Sequence, residues 1–187
     1  MPEFLRLARH FLPNTKLSLF TNGLLLLNLD FDKYWDVFRE FDVIIKLTRY
    51  PLMLNFKAIE EKARLENVKL EFFGLRKHKM IKYTLNPNGD CPLFPVVECA
   101  QFNNCTVLRN GKVYLCPISA NIGHFNAKFG QIFGTNEHNY IDIYTARNFQ
   151  EIAEFLSHPV PFCRYCDIGA RELHEWTRSN GTIDEWI

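Results

Sequence analysis

No stretch of this chain is apolar for long enough to cross a bilayer. The most apolar run, Leu24–Leu27, falls far short of the roughly 20 residues a spanning helix needs. There is no surplus of either charge: 22 Lys and Arg stand against 21 Asp and Glu, and no dense basic run breaks the balance. That removes the electrostatic footprint for nucleic acid and the polybasic patch for a membrane surface. The opening MPEFLRLARHFLP has no uninterrupted apolar core of the secretory kind. Its apolar residues Phe4, Leu5, Leu7, Ala8, Phe11 and Leu12 recur at helical spacing, with Arg6, Arg9 and His10 between them. The sequence also has no Walker loop, no Ser–His–Asp signature, no catalytic carboxylate pair, no internal repeat and no low-complexity tract. These absences lead us to expect a protein of the reducing cytoplasm. There, six cysteines serve as metal ligands or buried thiols rather than as a disulfide framework.

What is present is an ordinary globular composition, 47% hydrophobic and 23% charged, in a chain of 187 residues. That length buries a core without needing metal or disulfides merely to fold. Up to Pro87, helical and strand patterns alternate. A helix should end near Leu12, before Pro13. KLSLF (16–20) reads as a strand running into Thr21-Asn22-Gly23. A helix carries Tyr34, Trp35, Val37, Phe38 and Phe41, with Asp30 or Asp32 as its cap. DVIIKLTRYP (42–51) is a second strand, FKAIEEKARLEN (56–67) a helix, VKLEFFG (68–74) a third strand and MIKYTLNP (80–87) a fourth. Short connections between such units favour right-handed βαβ crossovers and a mainly parallel sheet. Sites in such sheets lie at the carboxyl ends of strands. Thr21, Asn22 and Gly23 occupy one such end, and Thr48, Arg49 and Tyr50 another. Asn22 and Arg49 are therefore the candidate ligand contacts of this half, against the plainer reading of a turn residue and a solvated arginine.

After Pro87 the pattern changes. Residues 88–187 hold all six cysteines and no clear βα repeat. NPNGDCP (86–92) reads as a linker, and helices are expected over 148–157 and 168–178. Asn110-Gly111 marks a two-residue hairpin, because a type I′ turn needs positive φ at both positions. Counting outward from Arg109 opposite Lys112, the register brings Cys105 opposite Cys116, with Cβ atoms about 5 Å apart. Cys163 and Cys166 form a CxxC. Two opposed thiols and one CxxC make a complete set of four sulfurs for tetrahedral zinc or for one cubane cluster. Cys99 is a further candidate, and Cys91 has no assigned role. Read singly, either pair is equally well a set of buried thiols, or a redox dithiol in the case of CxxC. All-thiolate sites suit zinc and iron–sulfur clusters alike. His124 and His138 are possible substitutes for a sulfur. Phe125, Phe129, Trp176 and Trp186 read as packing residues, the tryptophans pinning the C-terminal tail.

The stretch PEFLRLARHFLPNTKLSLFTNGLLL resembles the third βα region of radical S-adenosylmethionine (radical SAM) enzymes, in which the third strand ends in TNG. DVIIKLTRYP is similar to their fourth strand. C-x11-G-x4-C from Cys99 to Cys116, with PFCRYC after it, resembles the auxiliary-cluster pattern of SPASM and twitch domains. The resemblance implies an α/β chain: a partial (β/α) barrel segment over 1–87, then over 88–187 a small cysteine-rich α+β domain with a β-hairpin. It implies an auxiliary 4Fe–4S cluster that supports substrate or passes electrons, and it pairs Cys99 with Cys116 where the hairpin register pairs Cys105. The metal ligands expected here are Cys105, Cys116, Cys163 and Cys166, with Cys99 as the alternative to Cys105 and zinc as the alternative to the cluster. The CxxxCxxC loop and the SAM-contacting GGEP of these enzymes are absent. The expectation is thus the C-terminal portion of a radical SAM enzyme, unable alone to cleave SAM and using SAM only together with the N-terminal half. A barrel segment starting at this strand would leave KLSLF as an exposed edge, which favours a homodimer. Substrate and reaction are not legible.

Overall fold

A computed structural model describes residues 2–51, 53–74, 78–93, 99, 105–134 and 136–187. They form two compact units, residues 1–80 and 81–187. Together the described elements are a mixed α/β architecture that includes a three-stranded parallel sheet.

The first unit opens with helix α1 (Pro2–Phe11), which starts on proline, where the missing N–H costs nothing. It is tied down by Arg9, whose guanidinium donates to the carbonyls of Pro13, Thr15 and, at 2.6 Å, Phe41. Strand β1 (Leu17–Thr21), helix α2 (Lys33–Glu40), strand β2 (Val43–Leu47), helix α3 (Phe56–Leu65) and strand β3 (Leu70–Phe72) follow. The sheet order is β1-β2-β3, with β2 parallel to both neighbours. Val43, Ile45 and Leu47 point alternately from β2 into the core and are buried, with Trp35 and Phe38 of α2 and Ile59 and Ala63 of α3 packed in the same cluster. α3 begins at Asn55, whose Oδ1 accepts from the Ala58 N–H at 3.0 Å. That satisfies one of the orphan donors of the first turn. Among the described residues β1 has a sheet neighbour on one side only. Thr21 closes it, and Gly23 follows at φ +85°, where an added Cβ would lie 2.8 Å from Leu47 Cδ1. Only glycine turns there without strain.

The second unit contains β4 (Lys79–Leu85), β5 (Val107–Arg109), β6 (Lys112–Tyr114), helix α4 (Pro117–Phe129), β7 (Tyr140–Asp142), helix α5 (Phe149–Leu156) and β8 (Cys166–Glu175). β5, β6 and β7 form an antiparallel sheet in that order. Asn110 and Gly111 have φ of 51° and 74°. The register is Val107 with Tyr114, Leu108 with Val113 and Arg109 with Lys112, as the Asn-Gly turn requires. α5 starts at Asn148, whose Oδ1 accepts from Glu151 N–H. Leu85, Leu115, Ile122, Phe133, Val160 and Phe162 form the core.

Three expectations are corrected. The run 168–178 is not helical: most of it lies in β8, which pairs with β4. Helix formers such as Ala170, Glu172 and Leu173 are overruled by pairing with a strand more than 80 residues away, since tertiary context outweighs local propensity. β4 accordingly belongs with the second unit and not with the parallel sheet. Residues 86–91 are also more than a linker. Asn86 N–H donates to Tyr165 O at 2.9 Å, Cys91 N–H donates to Arg164 O at 3.1 Å, and Gly89 lies under the Tyr165 ring. The segment braces the CxxC turn. The tail is fixed by Trp186, whose carbonyl accepts from Leu85 N–H and whose ring packs edge-on against Phe125. Among the described residues no helix is long and apolar enough to cross a membrane.

Candidate metal centre

Two local devices present the sulfurs. Cys116 is the N-cap of α4, extended at φ −152° and ψ 162°, with Pro117 in the first turn. Its Sγ accepts from the Ser119 N–H at 3.5 Å. Sulfur thus takes the place of the usual cap oxygen, at the positive end of a thirteen-residue helix. Cys163 and Cys166 sit on a 3-10 turn, Pro161–Tyr165. Cys163 N–H donates to Val160 O, and Cys166 N–H donates back to Cys163 O. Phe162 anchors the turn. It is 1% exposed, its N–H donates to Asn139 Oδ1 at 2.7 Å, and its ring covers Gly134.

All six cysteines are free thiols. Burial pushes the Cys116 thiol up, an effect opposed by the backbone N–H groups of Ser119 and Ile118 and reinforced by Cys99 and Cys105. Burial pushes Cys163 up to about 11, against a backbone hydrogen bond and with Cys116 and Cys99 adding to it. Cys166 is raised further, first by burial, then by Cys116, Cys163 and Cys99. Cys99, Cys116, Cys163 and Cys166 therefore share one electrostatic neighbourhood. Cys105 perturbs Cys116 only. The ladder explains the difference: it ends at Val107 opposite Tyr114, and Cys116 has already turned into its cap conformation, so the register does not extend to a Cys105–Cys116 pair.

This neighbourhood is not a closed cage. Among the described residues no three His, Cys, Asp or Glu side chains stand at metal-holding spacing. The two observations differ in range: like charges act over several ångströms, whereas ligands must meet within about 2.3 Å of one centre. The thiols are thus near enough to feel one another but have not converged on one centre. The donor set still fits a thiolate-bound metal centre. It is all sulfur and partly buried, and each thiolate destabilises the next in the absence of a cation.

Residues 99–167 match the family model for an iron–sulfur cluster-binding domain, SPASM. This segment is similar to a SPASM domain. Its first matched residue is Cys99 and its last but one is Cys166, so Cys99, Cys116, Cys163 and Cys166 all fall inside it. A SPASM domain binds iron–sulfur, and its presence is consistent with a radical SAM protein. No curated protein matches the chain.

The remaining candidates fall elsewhere. Asn22 follows β1, and its Oδ1 accepts from Leu24 N–H. Arg49 follows β2, with its guanidinium 4.6 Å from the Phe72 ring centre and Nε buried without a partner. The hydrogen bond of Thr48 N–H to Thr21 O places the two strand ends side by side. His124 faces Arg109 at 2.9 Å, and His138 is exposed beside Glu137. Cys91 is buried, its Sγ accepting from Asn86 Nδ2 at 3.3 Å. Sequence reasoning missed Ser119 and the cap role of Cys116. Cys-Pro ahead of ISANIGHF, a proline at the first helical position, was the available signal.

The raised thiols set a pH dependence for metal uptake. At neutral pH these thiols are protonated in the metal-free protein, so binding must release protons. The affinity of the SPASM domain for a spectroscopic thiolate probe, Cd2+, is expected to rise steadily from pH 6 to pH 8. A pH-independent affinity, measured from the sulfur-to-metal charge-transfer band, would contradict the thiol ligation.

Proposed function

We propose that the chain represents the C-terminal portion of a radical SAM enzyme, in which the parallel sheet of the first unit is a segment of a (β/α) barrel and the SPASM domain carries one auxiliary 4Fe–4S cluster. The observation that carries this reading is the match of residues 99–167 to an iron–sulfur cluster-binding domain, within which Cys116, Cys163 and Cys166 are each raised by burial and by neighbouring sulfurs. TNG after β1 and the parallel β1-β2-β3 order support the barrel assignment. When bound, such a cluster supports substrate or passes electrons. The chain's own residues supply the thiolates, and the first turn of α4 supplies N–H groups toward Cys116 Sγ.

Cys116, Cys163 and Cys166 are three of the proposed ligands, and the fourth is Cys99 or Cys105. Electrostatic reach favours Cys99, which perturbs all three, over Cys105, which perturbs one. Iron analysis of anaerobically reconstituted single variants decides it. Cys99→Ser is expected to lose as much iron as Cys116→Ser, with Cys105→Ser close to the parent. The reverse order would restore the hairpin pair.

The sequence has no CxxxCxxC to hold a SAM-cleaving cluster. The purified, reduced chain is accordingly expected to form no 5′-deoxyadenosine from SAM, by chromatography, above a protein-free control. Turnover would overturn this part of the reading.

A further inference from the structure

The hairpin and α4 enclose a second feature. Between β5–β6, one face of α4 and the residues Gly134, Asn136, Glu137, Asn139 and Tyr140 lies an open cavity of about 470 Å³, within the size range of small-molecule sites. Its described lining is net basic. Arg109 and Lys112 line it; Lys112 hydrogen-bonds Tyr140 and feels Asp142, its cross-strand neighbour, through space, but among the described residues neither cation makes an ion pair. The Arg109 guanidinium is held by Ala120 O at 2.7 Å, Asn121 Oδ1 at 3.0 Å and His124. The Lys112 ammonium lies 3.9 Å from the centre of the Tyr140 ring. Among the described lining residues the one that is acidic, Glu137, is exposed.

Two further observations point to an occupant. Ser119 lines the cavity and is 4% exposed, and its Oγ is buried with no hydrogen-bond partner. A buried hydroxyl left unpaired is costly, so such groups generally have a partner. One turn on, Gly123 opens the helix face, for a Cβ there would meet nothing within 4 Å. Glycine inside a helix is otherwise unfavourable against alanine. The Asn136 Oδ1 is engaged by His138 N–H, which leaves its amide N–H2 as a donor.

We propose that this cavity binds a small carboxylate-bearing molecule, with the carboxylate on Lys112 and the Ser119 hydroxyl and an amide carbonyl on Asn136. The guanidinium of Arg109 is spent on α4, so it acts as a fixed positive wall and not as the bidentate clamp that phosphate recognition favours. One ammonium and one hydroxyl match the two oxygens of a carboxylate. The site is built from residues other than the cysteines, so it stands whether or not the metal centre holds a cluster.

The test is titration of the full chain, followed by NMR, with N-acetylglycine, its uncharged analogue N-acetylglycinamide, and inorganic phosphate. N-acetylglycine is expected to bind saturably and shift the amides of Lys112, Ser119 and Gly123, with the analogue at least about tenfold weaker, as loss of a charged hydrogen bond implies. Gly123→Leu fills the cavity without meeting a neighbour at Cβ and improves helix propensity, so it should abolish binding with no fall in Tm. Lys112→Gln should weaken binding about tenfold. Equal binding of acid and amide, binding of phosphate alone, absence of binding by all three probes, or undiminished binding to Gly123→Leu would each overturn the assignment.

Discussion

Replacing Cys116 or Cys163 with serine is expected to remove most of the iron that the parent chain takes up, and to destabilise residues 81–187. Both residues belong to the coupled thiol group, and each has its own local frame: the α4 cap for Cys116 and the 3-10 turn for Cys163. A centre that binds only the folded state adds its binding free energy to folding. At a free metal concentration a thousandfold above the dissociation constant this is about 4 kcal/mol, or roughly 15–30 °C in Tm for a unit of this size. Iron content and thermal melts in parallel check this. Cys91→Ser is the control, because Cys91 bonds to Asn86 and does not perturb the other sulfurs. Its iron content should match the parent. Equal loss in all three variants would mean that the cysteines matter through packing and not through ligation.

The second large effect is expected at Phe162, which carries no chemistry. Phe162→Ala empties a fully buried site between Gly134 and Tyr165, whose ring stacks on Phe162 with centroids 5.9 Å apart. Truncations of this kind cost about 3–5 kcal/mol. The Asn139 side chain that receives the Phe162 N–H and the brace at residues 86–91 hold the same turn. The damage should therefore reach Cys163 and Cys166, giving lower iron occupancy at 37 °C than at 4 °C. Phe162→Leu should recover most of both losses, because it refills the site. A stable Phe162→Ala protein, by denaturant melt, would contradict the packing account.

The parts of this molecule that were legible in its sequence are those fixed locally. Asn110-Gly111 dictates its turn because few other residue pairs accept two positive φ values, and the β5–β6 register follows from the turn alone. α5 and α3 are flagged by asparagine caps, and β2 by its alternating apolar residues. What failed was decided at a distance. β8 looks helical until β4 is placed beside it. α4 was missed because Gly123 and several small polar residues dilute its apolar stripe, and it is recognised from its ends, Pro117 and Gly130. The hairpin count that opposed Cys105 to Cys116 extended a strand rule two residues beyond the strand. Cys116 leaves the ladder to cap a helix, so the hairpin register no longer argues for Cys105 over Cys99. The cysteine spacing points to the segment that matches an iron–sulfur cluster-binding domain, but the choice of fourth ligand is not fixed by local spacing.

The most direct test is iron and sulfide analysis with Mössbauer spectroscopy on the chain reconstituted anaerobically with iron and sulfide. The account predicts one cubane per chain, about four iron and four sulfide, with all iron sites tetrahedral in sulfur. A colourless protein holding one zinc per chain, which iron and sulfide fail to displace, would contradict it.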